Sequence, residues 1–366
     1  MAKGLNLKSL KSKNRSLLLY LLNDHGDLSR KEIAAKLSLT PAAVTKICNE
    51  LIKDGFIKEL GEIEEQGKSG RREVLLGLCL RDKLVLGVNT ERNGITYSLS
   101  NLEGELIGIK RDEFCADIET VTDKAKDFLQ NFRIDIDRVI GAGICIIGAV
   151  GENDFGIWKN GNIKEKFEAA LGIPVTVENN VKAFAQSELI YGKTDKSKSI
   201  LFLKWGPGIG SSIATFGKVH SGNDSGIAEI GHYIVNVAGK KCRCGRFGCL
   251  ETEASSEEII SEAGGSLSLE EIVNSDRQDT VYLLDHKIDL VALALSNTAT
   301  ILNAESIILF GSLFDNDRII KKLAKQCIRY NRNFSNDIIK ISSLNDKREY
   351  IGAVAICAKK YFFEKY

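Results

Sequence analysis

Glu229-Ile-Gly-His232 and, a few residues on, Lys241-Cys-Arg-Cys-Gly-Arg-Phe-Gly-Cys249-Leu-Glu251 decide how this chain is read. His232, Cys242, Cys244 and Cys249 offer one imidazole and three thiols, the donor set of a closed tetrahedral zinc shell with no position left for water. The expected metal is therefore structural zinc rather than a catalytic centre. With nine cysteines in the chain, some would fall close together by chance. The Cys-x-Cys-x-x-x-x-Cys spacing with its flanking glycines is nevertheless that of a metal loop. Glu229 and Glu251 stand just outside the ligand set. Taken singly each could be a solvated surface residue, but carboxylates held beside a stapled loop suit hydrogen bonding to a polyhydroxyl ligand.

The rest of the chain bounds that reading. At 366 residues it can hold two or three domains, and a hydrophobic fraction of 43% is ordinary for a globular protein. Outside the cluster the cysteines occur singly, and their total is odd. That fits a metal site in a reducing cytoplasm better than a disulfide framework. Met1 to Lys13 is basic without a following cleavage pattern, and the apolar run Ser16 to Leu22 is too short to span a bilayer, so no membrane partner is expected. Net charge is +1, yet residues 1–72 carry 14 Lys/Arg against 9 Asp/Glu. Such asymmetry suggests a nucleic-acid-facing module joined to a different kind of domain.

The amino-terminal module reads as a winged helix-turn-helix over residues 1–80. Leu17, Leu18, Tyr20, Leu21 and Leu22 fall at helical spacing and end near Gly26. Ser29-Arg-Lys-Glu32 is a capping box that opens a second helix. Thr40-Pro41 supplies an N-cap and a proline at the first position of a third helix, which stops at Gly55. Phe56 to Leu60 and Val74 to Leu76 then flank a basic tip, the expected wing. Thr40, Ala42, Ala43, Thr45 and Lys46 at the start of the third helix suit base edges and phosphates. Lys68, Arg71 and Arg72 could enter the minor groove or clamp phosphates, and Arg30 and Lys31 suit backbone phosphate. A three-helix protein-interaction module with a solvated basic loop is the competing reading.

From Lys83 onward strands alternate with helices. Leu84 to Val88, Ile95 to Leu99, Leu106 to Ile109 and Val139 to Ile147 read as strands, and Val121 to Phe132 and Val181 to Tyr191 as helices. Ser199 to Leu203 opens a second series that turns at Gly206 to Gly210. It continues through a helical stretch from about Ser255 to Asn303 and the strand Ser306 to Phe310. Two α/β lobes with a cleft between them are expected.

The zinc run resembles the signature of the ROK family (repressors, open reading frames and sugar kinases). Glu178-Asn-Asn-Val-Lys-Ala-Phe-Ala185, the loop Gly206 to Gly210, and Leu302-Asn303 before the strand at 306–310 support the match. The winged helix is similar to that of the family's repressor branch. The resemblance implies an actin-like, hexokinase-like pair of ribonuclease H-like lobes. The first spans 83–198 and is joined by the carboxy-terminal helix of 346–366; the second spans 199–345. It also implies that Asn179, Asn180, Glu229, His232 and Glu251 contact a sugar.

The same comparison weakens the kinase reading. The stretch matching the phosphate loop, Gly87-Val-Asn89-Thr-Glu-Arg-Asn93, has Asn89 for the opening acid and no glycines after it. At the position of the catalytic Asp stands Asn180, an amide that cannot take a proton, and loss of a general base typically costs roughly 10²–10⁴ in rate. The Gly-Gly step near adenosine reads Phe310-Gly311-Ser312. No ATP cofactor and no enzymatic activity are therefore expected. The expected protein is a sugar-responsive regulator, a homodimer or homotetramer on a palindromic double-stranded operator, with a sugar or sugar phosphate as effector. Two alternatives stay open: an active kinase carrying a DNA-binding appendage, and a constitutive DNA-binding protein with a vestigial sugar site.

Overall fold

The computed structural model describes residues 7–63, 73–148, 158, 162–220, 228–331, 334 and 337–365. The winged helix-turn-helix comprises α1 (Leu7–His25), β1 (Leu28–Ser29), α2 (Arg30–Leu37), α3 (Pro41–Lys53), β2 (Ile57–Ile63) and β3 (Glu73–Leu78), with strand order β1-β3-β2. Its local signals act as the residue types dictate. Ser29 Oγ accepts from the Glu32 N–H at 3.3 Å while the Glu32 carboxylate accepts from the Ser29 N–H at 2.8 Å, completing the capping box. Leu18, Leu19, Ile33, Val44, Cys48 and Leu51 fill the space between the helices. Arg15 fastens α1 to α3 through Glu50 at 3.1 Å and Asp54 at 2.5 Å.

The first lobe follows as β4 (Leu84–Glu91), β5 (Gly94–Asn101), β6 (Leu106–Asp112), α4 (Ile118–Gln130), β7 (Val139–Ile146), α5 (Ile163–Leu171), β8 (Val175–Asn179) and α6 (Asn180–Tyr191). The second holds β9 (Ile200–Trp205), β10 (Ile209–Thr215), β11 (Lys218–Val219), α7 (Leu250–Ala254), α8 (Ser256–Glu262), α9 (Leu269–Asn274), α10 (Gln278–Leu302), β12 (Ser306–Phe310), α11 (Asp317–Tyr330) and β13 (Ile339–Ile341). The two sheets run β6-β5-β4-β7-β8 and β11-β10-β9-β12-β13. Each is a pair of antiparallel hairpins extended by two parallel strands through crossovers. The lobes therefore share one topology, which the amino-acid sequence does not display as a repeat. The chain is an α/β protein with an amino-terminal winged helix.

The helical stretch expected from Ser255 to Asn303 is not continuous. Gly264 and Gly265, both at positive φ, end α8, and Ser268 opens α9 with a second capping box. The final helix, α12 (Ile351–Ala358), widens into a π-helical turn over Lys359–Phe363. It lies across the first sheet so closely that a Cβ on Gly143 would come within 2.1 Å of the Ala353 carbonyl oxygen. One continuous apolar cluster runs from Leu18 and Leu51 of the winged helix, through Phe362 and Phe363, to Phe184 of α6 and Phe310 of β12. Among the described residues no helix is long and apolar enough to cross a membrane.

Candidate functional site

Between residues 228 and 250, ahead of α7, the chain is folded back on itself so that its cysteines meet. An isolated bridge pairs Lys241 with Phe247, and the Cys242 N–H donates to Arg246 O at 2.7 Å. Gly248, at φ 66°, passes so near Asn236 that a Cβ would lie 1.5 Å from its carbonyl oxygen, so only glycine fits. The result brings ligand atoms of His232, Cys242, Cys244 and Cys249 within 4.8 Å of one another. His232 presents Nδ1 to Cys242 Sγ at 3.5 Å, and Cys244 and Cys249 Sγ lie 3.6 Å apart. A tetrahedral shell with thiolate bonds of 2.3 Å has an S···S edge of about 3.7 Å. The four residues fit a tetrahedral metal. Their proton affinities reflect the crowding: burial raises the Cys244 thiol, but hydrogen bonds from Arg246 outweigh it and bring it down to about 7. Burial and proton sharing with the other thiols push Cys249 up to about 12.

A cleft of about 390 Å³ opens beside this loop, between the lobes. That is within the range of small-molecule sites, about 300–1,000 Å³. Asn179, Asn180, Glu229, His232 and Glu251 all line it. Glu251 is buried at the start of α7, where the metal loop ends. Burial pushes the Glu229 carboxyl up, Lys182 opposing and Glu251 adding to the shift. Burial pulls the His232 imidazole down, with Glu251 opposing.

Asn179 serves first as the N-cap of α6. Its Oδ1 accepts from the Val181 and Lys182 N–H groups at 2.9 and 3.1 Å, and its Nδ2 donates to Gly148 O at 2.9 Å. One amide hydrogen is left for a ligand. Asn180 donates through Nδ2 to Glu91 Oε1 at 3.2 Å.

Glu91 and Arg92, at the end of β4, line the same cleft, as does Arg243 from within the metal loop. Glu91 holds Lys204 Nζ with both oxygens at 2.5 Å. Arg92 reaches across to Glu251 Oε2 at 2.7 Å and to Glu257 at 3.4 Å. Sequence reasoning did not place Glu91, Arg92 or Arg243 at the site. The signal available was the pair of adjacent charged residues at the end of the strand, Glu91 and Arg92. Lys204 also lines the cleft. Lys182 is buried and borders a separate pocket near Lys359 and Lys360.

On the winged helix, Thr40, Ala42, Thr45 and Lys46 are exposed and Ala43 is partly so. Thr40 Oγ1 caps the Ala43 N–H at 3.3 Å, and Thr45 donates its hydroxyl to Pro41 O at 2.9 Å. Asn49, four residues beyond Thr45, extends the exposed face; the 3.6-residue period could have found it. Arg30 is engaged by Asn49 and Glu59, and Lys31 by Glu73. Lys68, Arg71 and Arg72 lie outside the described residues.

Residues 87–360 match the ROK family. The chain belongs to the ROK family. Residues 11–58 match the description winged helix-turn-helix DNA-binding. The N-acetylglucosamine repressor of Escherichia coli O6:H1 is 24% identical to this ROK chain over 382 residues, covering 96% of this chain and 93% of the relative. The crystal structure of a ROK family transcriptional regulator, a homologue of the E. coli MLC protein, superposes with a TM-score of 0.82 at 24% identity, over 97% of each chain. A ROK family glucokinase from Streptomyces griseus, solved with glucose and AMPPNP, superposes at 0.66 and 20% identity. It covers 75% of this chain and 99% of the kinase. The regulator superposition extends over nearly the full chain, so the fold common to both includes the winged helix.

Proposed function

We propose that this ROK protein is a sugar-responsive transcription regulator, a repressor whose winged helix binds double-stranded operator DNA and whose interlobe cleft binds the effector. The observation that carries the reading is the union, in one chain, of a capped helix-turn-helix with an interlobe cleft lined at the end of β4 by the charged pair Glu91 and Arg92. Resemblance to an N-acetylglucosamine repressor over nearly its whole length supports it. In this reading residues 1–80 bind DNA. Residues 83–198, with 346–366, form one lobe and 199–345 the other. Zinc on His232, Cys242, Cys244 and Cys249 stiffens the loop that presents Glu251. Asn179, Asn180, Glu229, His232 and Glu251 hydrogen-bond the sugar. Thr40, Ala42, Ala43, Thr45 and Lys46, with Lys68, Arg71 and Arg72 on the wing, meet the operator. The protein acts in the cytoplasm as a homodimer or homotetramer on a palindromic site.

The chemistry argues against phosphoryl transfer. Asn180 turns a donor toward Glu91, where a kinase needs a base. The Glu91 carboxylate and Lys204 occupy each other on the side a nucleotide phosphate would need.

The route from cleft to DNA is physical. Helix α6 begins at the cleft with Asn179 and Asn180, and at its other end Ile190 O accepts from Asn23 Nδ2 of α1 at 2.9 Å. Beside it Tyr20 stacks on Phe363 at 4.7 Å and 12°, Phe56 packs on Phe362 at 4.9 Å, and Tyr20 donates to Glu364 at 3.1 Å. Lobe closure around a sugar would move this seam and with it the winged helix. For the effector to act, it must bind one arrangement better than the other, with a coupling of roughly 1–3 kcal/mol. Fluorescence anisotropy on operator DNA across a sugar panel tests the proposal; unchanged DNA affinity with every sugar and sugar phosphate would sink it.

A further inference from the structure

We infer that Glu91 and Arg92 are selectivity residues that make the cleft accept an uncharged sugar and reject its phosphate ester. The inference rests on the effector reading above and specifies its ligand. Among the described residues lining the cleft, three cations (Lys204, Arg92 and Arg243) face three carboxylates (Glu91, Glu229 and Glu251). Each cation has a carboxylate within reach: Lys204 has Glu91, Arg92 has Glu251 and Glu257, and Arg243 Nε lies 3.6 Å from Glu251. The N-terminus of α6, which could otherwise hold an anion, has its Val181 and Lys182 N–H groups taken by Asn179.

A phosphate dianion would therefore meet no uncompensated positive group. To gain one it would have to pull Lys204 from Glu91, or Arg92 or the more loosely held Arg243 from the Glu251 carboxylate they share, weakening the pairing of a partly or wholly buried carboxylate, where that penalty is large. A neutral sugar needs no such exchange. Its hydroxyls can donate to Glu229 and Glu251 and accept from the guanidiniums, without changing the charge balance. Glu91 thus holds one cation a phosphate would seek, and Arg92 is itself held by Glu251 and Glu257.

The test is isothermal titration calorimetry of the full-length protein with xylose, glucose, N-acetylglucosamine and the phosphate ester of each, repeated on Glu91→Gln. In the wild type a neutral sugar should bind at least about tenfold more tightly than its ester, the effect of about one charge-assisted hydrogen bond withheld. Glu91→Gln releases Lys204 and should shift the ester-to-sugar affinity ratio by on the order of tenfold toward the ester. A matched melting temperature would exclude general unfolding. An ester that binds the wild type more tightly than its parent sugar overturns the inference while leaving the effector reading intact. So does an unchanged ratio in Glu91→Gln. Binding of neither sugars nor esters overturns both.

Discussion

Replacing Tyr20 by alanine should cut the link between sugar and DNA while leaving each ligand able to bind. Tyr20 is half-buried on α1, outside the tightly packed interior of the winged helix, and its ring lies parallel to Phe363. Removing the stack forfeits about 1 kcal/mol beyond simple area burial. Losing the hydrogen bond to Glu364 forfeits about another 1 kcal/mol. The docking of the winged helix on the ROK domain is then weakened by about 2 kcal/mol, which lies inside the roughly 1–3 kcal/mol span of ordinary allosteric coupling. Operator anisotropy titrations, with and without saturating sugar, read the coupling directly. The ratio of the two dissociation constants should fall to within about threefold of unity, a residue of under 1 kcal/mol. Sugar affinity measured by calorimetry should hold. If Tyr20→Ala kept the full wild-type ratio while remaining folded, the aromatic seam would not be the route.

Other outcomes follow from the same geometry. Cys244→Ser should lower metal content from about one zinc per chain, by elemental analysis, and weaken sugar binding because the loop carrying Arg243 and Glu251 loses its staple. Asn180→Asp should not yield a hexokinase in a coupled ATP assay, since Glu91 still occupies Lys204 and repels both the new carboxylate and a nucleotide phosphate. Lys46→Ala should weaken binding to specific and random duplexes alike and reduce the slope of log affinity against log salt by about one, the signature of a lost phosphate contact.

What the sequence made legible was local. The Ser29 capping box and the third-helix cap lie within a few residues of their partners, and the metal run is nearly contiguous, so residue types and spacing sufficed at Ser29, Thr40 and Cys242. The cross-cleft pairing was not legible in the same way. Glu91 and Lys204 are 113 residues apart, and nothing near either names the other. Helix α6 is legible as a helix, but not which side faces the core: it is buried on nearly every side, including Lys182, Gln186 and Glu188. Such a helix has no polar face to generate an amphipathic pattern. The break between α8 and α10 was missed because the flanking segments are helical in pattern, although Gly264 and Gly265 mark the interruption. The shared topology of the lobes rests on strand pairing, which amino-acid identity need not preserve.

The most direct measurement is the dissociation constant for operator DNA, at fixed salt, in the absence and presence of a sugar whose binding has been established by calorimetry on the same preparation. A sugar-responsive repressor should lose operator affinity by about 5- to 150-fold when the cleft is filled. Identical operator affinity with the cleft occupied and empty would contradict the assignment.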